Sequence, residues 1–492
     1  MKYFLIGIDG SQEDLFFRFN LPFIQKNLKK SVSINLEEDL LDRGWVKIST
    51  GARAQDTGAF YERMLFDGNY KVSSDYNLFD AIRQNLNITA LWDKLNNNGL
   101  SVGIMNVPTT NKAPKVNGFF VSGGGGNIEV TPKIKRDQCY PKNIHDMLIK
   151  NGYILDERLS SLVLENEKSY NHFFSRLKLM NEKRVDSFLK LNNQFSVDFG
   201  FIVFRSIVIV ENIFAAEIDR FLKGDENVNL ETISKLKDFY LHFDKCLEKL
   251  ITKISAKKVS FVSDHGTIPK YNLVNLNFFL QKLGYQTKNS GFKASLYFLK
   301  SLKNYVPFSI KKLLKKSKTI NSSYNSIINF NKKKTVLFNI NLGSSSSGIY
   351  VNDKTRFQGS VEYKNIDKII DKFIQEFNTC KIANKNNLVA INNFKNKKGN
   401  YGKYFPDIII KIPDGYQVEN PNEQCLYNFV KTAFNSLKPV ILKDVKHDLW
   451  TGTKSKKPLA TFINHDFFNN ETLTDKDLTS IYNIVLKEFE IK

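Results

Sequence analysis

Four short apolar runs punctuate the chain, and each ends in turn residues. They are KYFLIGID (2–9), LSVGIMNVP (100–108), FGFIVFRSIVIV (199–210) and KVSFVSD (258–264). Runs of this length, rich in β-branched and aromatic residues, are the pattern of strands buried on both faces of a parallel sheet. Between them the period changes. LFDAIRQ (78–84), ALWDKLNNNG (90–99) and TISKLKDFYLHFDKCLEKLITKI (232–254) set apolar residues three and four apart, with charges elsewhere. That spacing predicts amphipathic helices. Strands alternating with helices predict a doubly wound, mostly parallel α/β sheet with helices on both faces, in a single domain spanning 1–492. Ligands of such sheets bind beyond the carboxyl ends of the strands. Asp9 and Asp264 both stand at such ends. Two carboxylates far apart in sequence are therefore expected in one crevice.

Two stretches break the alternation. FVSGGGGN (120–127) is rich in glycine but has no GKS/T ending, so it reads as a flexible loop rather than a phosphate-binding loop. Segment 295–335 is strongly basic, with Lys311, Lys312, Lys315, Lys316, Lys318, Lys332, Lys333 and Lys334 crowded into it. It is expected to be a solvated excursion inserted in the domain, with peripheral contact to an anionic membrane surface as the sharper alternative. No run of 18 apolar residues occurs, so no transmembrane helix is expected.

Composition adds little to this. The 492 residues carry 72 basic and 50 acidic side chains, a net charge of +22. The lysines are scattered, and neither zinc-finger spacing nor an RNA-binding aromatic signature accompanies them. Specific nucleic-acid binding is not expected. The hydrophobic fraction of 42% supports a large buried core. Cys139, Cys246, Cys380 and Cys425 lie far apart and read as reduced thiols. A cytoplasmic protein is the expectation.

The candidate chemistry starts at Asp264 and His265. A strand that delivers an adjacent Asp–His pair into a loop resembles half of a metal site. With Asp9 it offers hard carboxylate oxygens and an imidazole, which suit one divalent cation such as Zn²⁺ or Mn²⁺. The plainer reading makes Asp264 a helix cap and His265 a buried hydrogen-bonding residue.

Further segments bear on that choice. IGIDG (6–10), WVKISTGARAQDTGAFYE (45–62), LWDKLNNNGLSVGIMNVPTTNKAPKVNGFFVSG (91–123), VSDHGTIPK (262–270), GIYVNDKTRFQGSV (348–361), YFPDIIIKI (404–412) and GTK (452–454) follow one another in a recognisable order. Together they resemble the alkaline phosphatase superfamily. The similarity is to a predicted phosphohydrolase/phosphomutase branch near the type I phosphodiesterases and nucleotide pyrophosphatases. The resemblance implies a two-metal hydrolase of phosphate esters or diesters, less readily of sulfate esters. Its substrate would be an anionic small molecule or glycan precursor.

Position by position, only half of that site is present. Asp9, Asp264 and His265 match the first metal's ligands. The second metal's Asp and His fall, without gaps, on Val208 and Asn212, and its late His falls on Lys454. The nucleophile's hydroxyl falls on Leu41, and a further histidine of the family on Thr57. Lys454 is a candidate fixed charge where a cation would be. Asp42 is a candidate carboxylate nucleophile, with Asp39, Ser49 and Thr50 nearby and a metal-activated water as the other option. His447 is a candidate displaced ligand. Two functions follow from these losses. One is a one-metal hydrolase, and the other is a catalytically degenerate binding protein that keeps the fold.

Overall fold

The computed structural model describes residues 1–12, 18–84, 87–124, 133–157, 167–287, 330–341, 346–418, 441–443, 451–465 and 477–491. These form two compact units. The larger comprises 1–59, 75–269 and 448–492, and the smaller 60–74 and 270–447.

In the larger unit the labelled elements run in this order. They are β1 (Tyr3–Ile8), β2 (Ser31–Ser33), α1 (Gly44–Thr50), β3 (Val102–Met105), β4 (Gly118–Val121), β5 (Cys139–Tyr140), α2 (Glu167–Phe195), β6 (Phe199–Phe204), α3 (Ser206–Leu222), α4 (Leu230–Ile254), β7 (Lys258–Val262), β8 (Gly266–Pro269), β9 (Gly452–Ser455), β10 (Ala460–Ile463) and α5 (Thr479–Glu488). Eight strands make one sheet in the order β2-β10-β7-β1-β6-β3-β4-β5. The five central strands, β7 to β4, are parallel, and the edges are closed by antiparallel neighbours. The doubly wound, mostly parallel sheet expected from the apolar runs is what forms. Every residue of β1 and β6 is buried, as strands covered on both faces must be.

The helix pattern at 232–254 belongs to α4. Asn229 caps it, with its side-chain oxygen accepting the Thr232 N–H at 2.9 Å. Its apolar stripe, Ile233, Leu236, Phe239, Tyr240, Phe243, Leu247 and Leu250, faces the core. The apolar run 199–210 is not one strand. It divides at Arg205, where β6 ends and α3 begins. Both sides of the break read as apolar because the first turns of α3 are also buried, through Ile207, Val208, Ile209 and Val210. Segment 452–454 is part of β9, which pairs antiparallel with β8.

The smaller unit has its own core. A four-stranded antiparallel sheet, in the order 337–341, 346–351, 408–411 and 389–392, is packed by the helix Ile366–Thr379. Asp407 is buried there and paired. Arg356 grips it with two nitrogens at 2.9 and 2.8 Å, and Lys397 Nζ lies 2.6 Å away. The basic stretch 295–335 lies outside the described residues as far as 329. Among the described residues no helix is long and apolar enough to cross a membrane.

Gly7 sits mid-strand in β1 because nothing larger fits. A Cβ there would lie 2.6 Å from Trp45 Cη2 and 2.8 Å from Val203 Cγ2. Replacing Gly7 by Ala overpacks this layer and is expected to destabilise the fold by about 1–3 kcal/mol. Urea unfolding checks this, and an unchanged midpoint would contradict the packing of Trp45 on Gly7.

Candidate functional site

The register of three parallel strands builds the site. β1 pairs with β7 so that Gly7 stands opposite Val262, and with β6 so that Ile8 stands opposite Phe204. Two residues past the first pair are Asp9 and Asp264. One residue past the second are Asp9 and Arg205. Neighbouring strands lie about 4.8 Å apart, so Asp264, Asp9 and Arg205 form a row at the carboxyl edge of the sheet. Ligand atoms of Asp9, Asp264 and His265 all lie within 4.8 Å of one another, and all three residues are buried. The structure thus brings together the first set of residues singled out from sequence.

The turn after Asp9 is forced. Gly10 has φ +75°, and a Cβ on it would lie 2.5 Å from Val208 Cγ2. Its N–H points at Asp264 Oδ1, 3.4 Å away. Asp9 Oδ2 accepts the indole N–H of Trp45 and the Nε–H of Arg205, each at 3.2 Å. Arg205 also bonds Asp156. His265 Nδ1 lies 2.7 Å from the Gly266 carbonyl, so this nitrogen carries the proton and donates it. Nε2 is left with its lone pair, 3.6 Å from Asp264 Oδ2. Two ligands about 2.1 Å from a tetrahedral cation are separated by about 3.4 Å. The donor set therefore fits a divalent cation in spacing and in chemistry.

Electrostatics agree with that fit. Burial pushes the Asp9 carboxyl above its ordinary range, and the neighbouring Asp264 charge pushes it further. Burial also raises Asp264, against the opposing pull of Lys454. Burial, reinforced by the Lys454 charge, lowers His265 to about 3, so its imidazole is neutral. Lys454 itself is lowered to about 7, chiefly by burial, with Asp264 and Asp9 opposing and Arg43 and Arg205 adding to the shift. It reaches the row from β9, where it stands opposite Thr267.

The positions that the sequence alignment sets against a second metal's ligands also lie near this row. Val208 packs on Gly10, and the Asn212 backbone lies 2.9 Å from where a Cβ on Gly452 would be, two residues before Lys454. An apolar side chain therefore stands against the turn that follows Asp9.

Asp42 is engaged elsewhere. Its Oδ2 accepts the Ala54 N–H at 3.0 Å and lies 3.9 Å from Lys47 Nζ. Lys47 is fully buried and also pairs with Glu38 at 2.7 Å and Asp477 at 3.5 Å. Burial raises Asp42 to about 6. Its Oδ1 is buried without a hydrogen-bond partner. Leu41 is buried, and Thr50 Oγ1 donates to the Val46 carbonyl at 2.7 Å. His447 lies outside the described residues. Arg205, Trp45 and Asp156 were not singled out from sequence. Arg205 had a signal, because it directly follows an apolar strand at the same sheet edge. Reading 199–210 as one strand concealed it.

The sequence model of the type I phosphodiesterase / nucleotide pyrophosphatase family matches residues 3–425. No curated protein sequence matches the chain. Among solved structures, phosphonoacetate hydrolase from Sinorhizobium meliloti 1021 is similar in fold, with a TM-score of 0.54 at 10% identity over 99% of this chain and 95% of that one. Murine ectonucleotide pyrophosphatase / phosphodiesterase 5 aligns with a TM-score of 0.47 at 11% identity, over 100% and 96%. The chain belongs to the type I phosphodiesterase / nucleotide pyrophosphatase family of the alkaline phosphatase superfamily, and by that membership is a phosphoric-ester hydrolase.

Proposed function

We propose that this chain hydrolyses an anionic phosphoric ester with one divalent cation, held by Asp9, Asp264 and His265. The observation that carries the reading is the convergence of these three buried ligands within 4.8 Å. Two carboxylates packed together without a cation repel one another, so the arrangement is costly unless something positive is bound. A divalent cation there supplies Lewis-acid polarisation of a phosphoryl oxygen and makes water more acidic.

The protein's own groups do the rest. Trp45 and Arg205 hold Asp9 through Oδ2, so Oδ1 would be the oxygen offered to a bound cation. The Gly266 carbonyl fixes the tautomer of His265. Lys454, lowered to about 7 and so only partly protonated near neutral pH, supplies positive charge on the side where the family's second metal ligands are missing. Position 41 has no hydroxyl, so the attacking oxygen comes from water. Its bond to phosphorus forms as the bond to the leaving alcohol oxygen breaks. Asp42 is a positioning residue for the Ala54 turn and for Lys47.

Metal content after dialysis against Mn²⁺ or Zn²⁺ tests the centre directly. About one equivalent per chain is expected for the wild type, and none for Asp264→Asn. Two equivalents would mean a second ligand set. Zero equivalents in the wild type would favour a binding protein that keeps only the fold.

The pH dependence follows from the directions of the shifts. Asp9 and Asp264 hold protons more tightly folded than unfolded, so the metal-free fold loses stability as pH rises through their folded pKa values. A bound cation reverses that loss. His265 stays neutral and competes for no proton above about 3. Metal affinity should therefore fall as pH falls, starting above the ordinary carboxylate range of about 4. Thermal unfolding with and without Mn²⁺ checks this. The metal-induced stabilisation should be larger at pH about 8 than at about 5, and absent in Asp264→Asn at both.

Asp42→Asn separates water from a carboxylate as nucleophile. Hydrolysis of p-nitrophenyl phosphate should change by less than about tenfold. Loss of a true nucleophile costs on the order of 10⁴-fold or more.

A further inference from the structure

Asp156 lies on a segment outside any strand or helix, and it is buried. Its Oδ1 accepts the Glu157 N–H at 3.0 Å, and its Oδ2 accepts a terminal N–H of Arg205. Arg205 Nε in turn donates to Asp9 Oδ2 at 3.2 Å. Asp156, Arg205 and Asp9 thus form a chain of alternating charge that ends on a member of the three-ligand cluster.

The first link of that chain is set by the packed interior. Arg184, on α2, is fully buried. One of its terminal nitrogens donates to the carbonyl of Leu155, the residue before Asp156, at 2.8 Å. The other donates to the carbonyl of Val203, two residues before Arg205, at 3.0 Å. Asn106 Nδ2 donates to the same Val203 carbonyl at 3.2 Å. The backbones that carry Asp156 and Arg205 are therefore tied to one guanidinium.

Arg205 on its own would pose a conflict. A guanidinium bonded to Asp9 fixes that carboxylate, but it also stands close to the place of a divalent cation and repels it. A carboxylate bound to a second nitrogen of the same guanidinium removes the conflict, because it offsets the charge and holds the planar group in one orientation. The Asp156 charge is the largest influence that holds Arg205 protonated.

We propose that Asp156 is a positioning residue of the metal site. It fixes the Arg205 guanidinium and offsets its charge, so that Arg205 holds Asp9 Oδ2 without driving the cation away. The inference rests on the one-cation reading above.

Mn²⁺ affinity, measured by calorimetric titration across a double-mutant cycle, tests it. Asp156→Asn leaves the Arg205 charge beside the site and should weaken Mn²⁺ binding at least about tenfold. Asp156→Glu keeps the charge and should lose less than about threefold. Asp156→Asn combined with Arg205→Gln should recover at least about threefold over Asp156→Asn, and should bind within about threefold of Arg205→Gln alone. A merely structural loss would carry over into the double variant. The last comparison decides even where Asp156→Asn alone does not fold, because neither variant in it keeps the Arg205 charge. Unchanged affinity in Asp156→Asn overturns the inference, and so does an equal loss in both backgrounds. If the wild type binds no Mn²⁺, the one-cation reading fails, and the relay is judged without metal. The Trp45 indole N–H donates to Asp9 Oδ2 at 3.2 Å, so its NMR resonance reports how Asp9 is held. Trp45→Phe assigns that resonance among the three tryptophans. It should shift on Asp156→Asn and stay in place when the same change is made in Arg205→Gln. Any other pattern overturns the inference.

Discussion

Two carboxylates buried side by side repel each other, and the centre of the larger unit is organised around that repulsion. Asp9 and Asp264 stand at the same level because β1 and β7 pair in parallel with Gly7 opposite Val262. Neither side chain can turn away. Trp45 and Arg205 hold Asp9, and the Gly10 N–H faces Asp264. Burial leaves the two charges little screening by solvent. What relieves the repulsion is positive charge, and the fold places it on two sides, through Arg205 at the end of β6 and Lys454 from β9. In this environment an ammonium is itself strained, and Lys454 is lowered to about 7 chiefly by burial. The site is therefore suited to a cation beside its two carboxylates.

The residues that the sequence alignment sets at four of the family's site positions, Leu41, Val208, Asn212 and Lys454, bear together on the proposed one-cation site. A two-metal site needs a carboxylate and imidazoles around its second ion, and a lysine reaching the same space would repel it. Val208 packs on Gly10, so an apolar side chain lies against the turn that follows Asp9. In the proposed one-cation site Lys454 is a compensating charge. Leu41 is buried, and the nearby carboxylate of Asp42 is committed to Lys47 and Ala54. The Lys47 cluster is a separate piece of electrostatics. Three acids, Glu38, Asp42 and Asp477, share one fully buried ammonium, which anchors α1 next to the segment that starts α5.

Much of the fold was legible because its central strands are buried on both faces, and such strands leave a simple mark in sequence. The runs at 2–9, 100–108 and 258–264 contain β1, β3 and β7. The helix at 232–254 was equally plain, because its apolar stripe recurs at a constant period. The short strands 31–33, 139–140, 452–455 and 460–463 carry no such mark. They are a few residues long, and pairing with neighbours rather than local pattern makes them strands. Arg205 was hidden for a related reason. A buried strand followed by a buried helix reads as one apolar run, and the single charged residue between them looks like an interruption.

The order of apolar runs and the carboxylates at their ends were enough, by themselves, to determine a parallel α/β sheet with Asp9, Asp264 and His265 as candidates for one site. Those features depend on local composition and on a rule common to all such sheets. The register decided the remainder. Which residue of β6 stands level with Asp9, whether Lys454 reaches the row, and whether Asp42 faces the cluster or Lys47 are set by pairings between residues tens to hundreds of positions apart. No local pattern encodes those pairings, because they follow from how the strands and helices pack once they have formed.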